Sequence, residues 1–253
     1  MDDEQLLRYS RHILLDEWGI EAQQRVAAAH IALVGVGGLG APAAMYLAAS
    51  GVGRLSLIDA DHVDLSNLQR QIAHATASIG QPKSASARDT LLRLNPTIRV
   101  DAIAARADEA LLDGLLPGLD AVLDCSDNFA TRQLVNRLCV RHRVPLVSGA
   151  ALRFDGQLAS FDTRKPDSPC YACLFPPDQP MEEAACATMG VFAPLVGIIG
   201  TMQAADALRL VAGVGEPMLG RLLMFDALRT HWHEIGIERD PACPVCAGRA
   251  QRA

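Results

Sequence analysis

The sequence predicts an α/β fold: a mostly parallel sheet covered by helices on both faces, with an antiparallel extension in its C-terminal part. Three observations carry this. An apolar run, Ile31 to Val34, passes directly into Gly35-Val36-Gly37-Gly38-Leu39-Gly40 and then into an alanine-rich segment, the order strand, glycine turn, helix that opens a Rossmann-like unit. From Asn95 to Val147, short apolar runs alternate with longer segments of helical character, and alternation with short connections implies parallel strands. Beyond Gly149, strand-like runs follow without a crossover helix of the same type between them, which favours antiparallel pairing.

The chain of 253 residues, half of them hydrophobic and 21% charged, has the composition of an ordinary globular protein able to bury a sizeable core. A net charge of −6 speaks against nucleic acid or an anionic membrane as the main partner. No apolar stretch follows Met1-Asp2-Asp3-Glu4, so no signal peptide is expected. The longest apolar run, Val191 to Gly213, is interrupted by Pro194, Gln203, Asp206 and Arg209 and reads as a core helix rather than a membrane span. The seven cysteines, four of them in two pairs, do not form a secreted disulfide framework, so a cytoplasmic location is expected.

In chain order, residues 1–29 carry Leu6, Leu7, Ile13, Leu14 and Leu15 among charges, which predicts one or two amphipathic helices. Arg8 and Arg11, three apart, share a face of such a helix and by themselves read as surface charge. At the glycine turn, the missing Cβ atoms of Gly35, Gly37 and Gly40 let the backbone turn sharply, approach a phosphate and pack helix against strand. The N–H groups at the helix start then face an arriving anion. A second strand, Leu55 to Ile58, ends at Asp59, about twenty residues past the glycines, where such folds place a ribose ligand.

The polar segment His62 to Gln71 is too long for an ordinary connection, and Gly80-Gln81-Pro82-Lys83 opens a helix through Leu94. Arg70 and Lys83 in this region are either surface charge or the cations a phosphate-displacing enzyme needs; hydride transfer needs neither. Strands Ile98–Ile103, Ala121–Asp124 and Leu146–Val147 alternate with helices Glu109–Leu116 and Phe129–His142. Asp127, at the end of the fourth strand and before a helix, suits an N-cap or a Mg²⁺ ligand. Further strands are expected at Leu152–Phe161, Leu222–Phe225 and Thr230–Ile235. Cys170 and Cys173, with Cys243 and Cys246, form two knuckles suited to a tetrahedral structural Zn²⁺ site. Pro176 to Gly190 reads as an exposed loop whose Cys186 is a candidate reactive thiol, and Cys125 and Cys139 read as small core residues.

Taken together these residues resemble the ThiF/MoeB adenylyltransferases, bacterial relatives of the ubiquitin-activating enzymes. The match runs through Arg8-Tyr9-Ser10-Arg11, Gly35 to Gly40, Asp59, Asn67-Leu68-Gln69-Arg70-Gln71, Pro82-Lys83-Ser84, Ser126-Asp127-Asn128, Thr131-Arg132 and both cysteine pairs. The resemblance implies one adenylation domain, with a nucleotide-binding half at 30–150 and a carrier- and zinc-binding half at 151–253. It implies ATP-dependent adenylylation of the C-terminal glycine of a small ubiquitin-like sulfur carrier ending in Gly-Gly, with release of pyrophosphate. Gly35, Gly37, Gly38, Gly40, Asn67 and Asn128 would then bind ATP, Asp59 its ribose, Arg70 and Lys83 its phosphates, and Asp127 the Mg²⁺. Arg11 resembles an arginine finger that reaches the ATP of the other subunit of a homodimer, and Cys186 a thiol that can join covalently to the carrier.

Arg8 to Arg11, Ile13 to Asp16 and Cys186 look more like the thiamin-pathway branch, whose carrier is ThiS. The molybdopterin branch, whose carrier is MoaD, is the alternative. No rhodanese domain is expected after the second knuckle, so a separate protein is expected to donate sulfur. An NAD-dependent oxidoreductase and a non-catalytic carrier-binding module remain as more distant alternatives.

Overall fold

The computed structural model describes residues 1–178 and 189–248. Strand β1 (His30–Val34) lies inside the sheet, parallel to β2 (Arg54–Ile58) on one side and to β4 (Ala121–Asp124) on the other. Strand β3 (Arg99–Ile103) adds in parallel to β2, and β5 (Leu146–Leu152) to β4. Strands β6 (Asp155–Phe161), β7 (Arg221–Asp226) and β8 (His231–Gly236) follow, each antiparallel to its neighbour. The order is β3-β2-β1-β4-β5-β6-β7-β8. The expected antiparallel extension is thus the continuation of the same sheet.

Every residue of β4, and all but the first of β1 and β2, is buried, which is why these strands read as continuous apolar runs rather than alternating ones. Alternation survives in what each face touches. Ile31 and Leu33 of β1 pack in a core with α3 (Gly19–Ala28), α4 (Gly40–Ala49), α5 (Lys83–Leu94) and α9 (Ala193–Ala212). Ala32 and Val34 pack with α6 (Glu109–Leu115) and α7 (Phe129–His142) on the other face. The two-residue period of a strand therefore serves both layers.

Helix α9 starts with Pro194 in its first turn and stops at Gly213, whose φ of 66° is the left-handed cap that favours glycine. By length and composition it could cross a membrane, yet 56% of its apolar window is buried within the molecule, where it packs on α4 and β5. It is the core helix that the polar interruptions predicted.

Three local expectations are corrected. Arg8 and Arg11 do not share a helical face. Arg8 ends α1 (Asp3–Arg8), Arg11 lies in α2 (Ser10–Ile13), and Tyr9 between them is buried. The Tyr9 hydroxyl accepts a hydrogen bond from Asn95 Nδ2 at 2.8 Å, and that anchor breaks the helix in two. The fifth strand is longer than expected, and the hairpin to the sixth turns at Arg153, with a φ of 52°, not within a strand that starts at Leu152. Ser148-Gly149-Ala150-Ala151 carries no β-branched signal because α9 lies against it: a Cβ on Gly149 would run into Gln203. Finally, α7 is capped by Asn128, whose side chain accepts from Thr131 N at 2.9 Å, so Asp127 is not the cap.

Candidate functional site

A cavity of about 670 Å³ opens at the carboxyl ends of β1, β2, β4 and β5, where β1 leads to one side of the sheet and β4 to the other. Ligands of open α/β sheets bind at this switch point. Its floor is the glycine turn. Gly35 has a φ of 91°, and a Cβ there would lie 2.8 Å from the Cys125 carbonyl oxygen. On Gly40 a Cβ would collide with the Gly35 carbonyl, so these two glycines let the turn close on itself. Gly37 is different: its nearest neighbour would be the Gln71 amide at 3.3 Å. Its bare backbone lines the cavity, as do Gly35 and Gly38, whereas Gly40 does not.

Asp59 follows β2 directly, its carboxylate held by two main-chain donors, Val36 N at 2.7 Å and Asp61 N at 2.9 Å. Each oxygen keeps a second lone pair for a hydroxyl donor. Burial pushes the Asp59 carboxyl above its ordinary value, with the two N–H groups opposing the shift. Lys83, the first residue of α5, is buried with its ammonium 2.9 Å from Asp61 Oδ2; its side chain is 8% exposed against 72% for Asp61. A buried ammonium held by a solvated carboxylate can turn to a stronger anion without stranding its partner. Arg70 donates to the Ser66 carbonyl at 3.1 Å, one of the five donors its guanidinium carries.

The cavity wall brings together Gly35, Gly37, Gly38, Asp59, Arg70, Lys83, Asp127 and Asn128. Asn67 stands outside it. Its carbonyl accepts from Arg70 N at 3.1 Å and Gln71 N at 3.0 Å, so it supports the turn that presents Arg70. Arg11 is exposed on α2 and lines no part of the cavity of its own chain. Cys186 lies outside the described residues. Cys125 and Cys139 are buried, and desolvation drives both thiols far above their ordinary value, as suits core residues.

Residues without an assigned role in the sequence also line the site. Gln71 is 5% exposed and its Oε1 has no hydrogen-bond partner among the described residues. Arg132 projects from the first turns of α7 and donates to the Ser126 carbonyl at 2.6 Å. Behind the glycine turn, His74 bridges the Val36 carbonyl and Ser86 Oγ at 3.0 Å each, and burial lowers its pKa. Arg132 had a sequence signal, four residues after the cap. Gln71 stood in the matched motif without a role, and His74 had no signal, because the Val36 carbonyl it meets lies 38 positions earlier in the chain.

Away from the cavity, Cys170, Cys173, Cys243 and Cys246 converge, with every sulfur within 4.8 Å of the others. Three of the separations are 3.9, 3.7 and 3.5 Å. Four sulfurs about 2.3 Å from a central Zn²⁺ would stand about 3.8 Å apart, and four thiolates leave no open coordination position. The donor set and spacing fit a closed structural site. Crowding by Cys173 and Cys246 drives the Cys170 thiol up.

The model of the ThiF family matches residues 9–245. The chain belongs to the ThiF family. It is 44% identical to the molybdopterin-synthase adenylyltransferase of Escherichia coli K12, over 97% of this chain and 98% of that protein. It is 43% identical to the sulfur carrier protein ThiS adenylyltransferase of the same strain, over 98% of each. The SAMP-activating enzyme E1 of Haloferax volcanii is 45% identical over 97% of this chain and 90% of its own length. The crystal structure of E. coli MccB with MccA-N7isoASN superposes with a TM-score of 0.83, covering 95% of this chain and 74% of that one at 24% identity, a likeness of fold. The expected family and enzyme class, an adenylyltransferase, therefore stand. With 44% and 43% identity to relatives named for two different pathways, overall similarity does not separate them.

Proposed function

We propose that this ThiF-family enzyme adenylylates the C-terminal glycine of a small ubiquitin-like sulfur carrier of the ThiS type. The carrier's carboxylate attacks the α-phosphorus of ATP, a P–O bond to the β-phosphate breaks, and an acyl-adenylate and pyrophosphate result. The observation that supports this best is the shared cavity wall, where the bare backbone of Gly37, the fixed carboxylate of Asp59 and the cations of Arg70 and Lys83 meet Asp127. Asp59 accepts from the ribose hydroxyls. Arg70 and Lys83 neutralise the charge that gathers when one anion attacks another. No general base is required, because the attacking carboxylate is already ionised at neutral pH. Asp127 would hold Mg²⁺, which would supply positive charge to screen the phosphates.

Arg11, exposed on α2, completes the site of a second copy in a homodimer, and Cys186 offers a thiol to the activated carrier. A separate protein supplies the sulfur. The cysteine cluster holds one structural zinc; metal analysis that finds about one zinc per chain supports this, and zinc-free protein with four reactive thiols refutes it.

The deciding experiment is ATP–pyrophosphate exchange with purified ThiS-type and MoaD-type carriers. Exchange with the ThiS-type carrier is expected. Exchange with the MoaD-type carrier alone assigns the enzyme to the molybdopterin branch. No exchange with either carrier refutes the activity.

A further inference from the structure

The cysteine cluster and the nucleotide cavity are two sites of one helix. Cys170 precedes the short helix α8 (Tyr171–Leu174), and Tyr171, one of the two residues between Cys170 and Cys173, is 4% exposed and lines the cavity together with Phe175. Helix α7 grips this knuckle along one side. Asn136, 1% exposed, accepts from Tyr171 N at 2.9 Å and donates to Cys170 Sγ at 3.7 Å. Gln133 donates to the Phe175 carbonyl at 2.6 Å. Arg132, one residue earlier, lines the cavity with Tyr171, its positive charge near the Tyr171 hydroxyl, and donates to the Ser126 carbonyl at 2.6 Å. The helix is capped by Asn128, next to Asp127. Residues 132, 133 and 136 thus link the sulfurs to the cavity wall through a single turn of α7.

We propose that Tyr171 is a positioning residue that couples metal occupancy of the cysteine cluster to nucleotide binding. A metal among the thiols fixes the backbone of the knuckle, the knuckle fixes the Tyr171 ring, and the Tyr171 hydroxyl orients the Arg132 guanidinium at the edge of the cavity. This rests on the reading of the cluster as a metal site and of the cavity as an ATP site. Coupling between two sites is reciprocal, so ATP must in turn hold the metal more firmly. A purely structural staple would also be released more slowly wherever ATP stabilises the whole fold, but that protection would not depend on the Tyr171 hydroxyl.

The test uses full-length protein with its zinc content measured. Release of zinc to an excess of a chromogenic chelator is followed with and without saturating ATP, with GTP as the control for metal binding by free triphosphate. ATP is expected to slow release about fivefold or more, GTP not. In Tyr171→Phe, which keeps the ring and the thiols, zinc content and circular dichroism stay at wild-type values, the ATP protection is lost, and the KM for ATP rises more than kcat falls. Unchanged release in protein shown by calorimetry to bind ATP, equal protection by GTP, or full protection in Tyr171→Phe would each overturn the coupling. Protein that binds ATP but contains no zinc refutes the metal reading, and the coupling with it; protein that does not bind ATP refutes the nucleotide reading instead.

Discussion

Replacement of Lys83 by alanine separates a fold role from a chemical one. The ammonium lies 2.9 Å from Asp61 Oδ2, but the two partners are unequal: the lysine side chain is 8% exposed and the aspartate 72%. Removing the lysine leaves a carboxylate that water already reaches, so no charge is stranded, and the loss of the pair costs about 1 kcal/mol or less. The lost packing of the buried stem adds about 1–2 kcal/mol. Against the chemistry the loss is larger. A preorganised donor aimed at charge that develops in the transition state is worth about 3–4 kcal/mol, or a factor of about 10²–10³. Lys83→Ala should therefore melt as a single cooperative transition a few degrees below wild type, while carrier-dependent ATP–pyrophosphate exchange falls by about two to three orders of magnitude. Exchange within tenfold of wild type in the folded variant would remove Lys83 from the mechanism.

Three further expectations follow from particular contacts. Gly40→Ala, whose Cβ meets the Gly35 carbonyl, should lose about 3 kcal/mol or more of stability in denaturant titrations, whereas Gly37→Ala, 3.3 Å from a side-chain amide, should keep near-normal stability and raise the KM for ATP; the reverse order would contradict the assignment of turn and floor. If Arg11 acts in the partner's site, Arg11→Ala and Lys83→Ala proteins, each inactive alone, should recover about one quarter of wild-type exchange when mixed as equal parts and allowed to swap subunits, and no recovery in verified mixed dimers argues against action in trans. Asp162, 3% exposed and gripped by Arg164 at 2.8 and 2.9 Å, has its carboxyl held below the ordinary range by that guanidinium against the opposing pull of burial. Its contribution to stability is complete above the unfolded value near 3.8 and is lost as pH falls through the lower folded value, so the gap in melting temperature between wild type and Asp162→Asn should shrink as pH falls from 6 toward 3, and a constant gap would refute the pairing.

The strand, glycine turn and helix at 30–49, the parallel strands at 54–58, 99–103 and 121–124, and the pairing of the two cysteine knuckles were all legible in the sequence. Each depends on neighbours in the chain: apolar runs that must be buried on both faces, a glycine turn joining strand to helix, spacings that match a coordination geometry. Family resemblance added roles for Arg11, Asp59, Arg70, Lys83 and Asp127, and the structure gathers the last four in one wall.

Other features were decided by the tertiary structure. Strand β5 runs to Leu152 because it pairs with β6 that far, and Gln203 of α9 requires Gly149 within it to be small; no local propensity records a helix fifty residues away. Arg8 and Arg11 part company because Asn95 holds Tyr9. Gln71 lies against Gly37, and Tyr171 owes its place to Asn136. By itself the sequence determined which segments form the layers and which charges accompany the glycine turn, because periodicity and turn chemistry act over a few residues. Only the tertiary structure decided which side chains share a wall and how the cysteine cluster reaches the cavity, because those contacts arise when distant segments exclude water together.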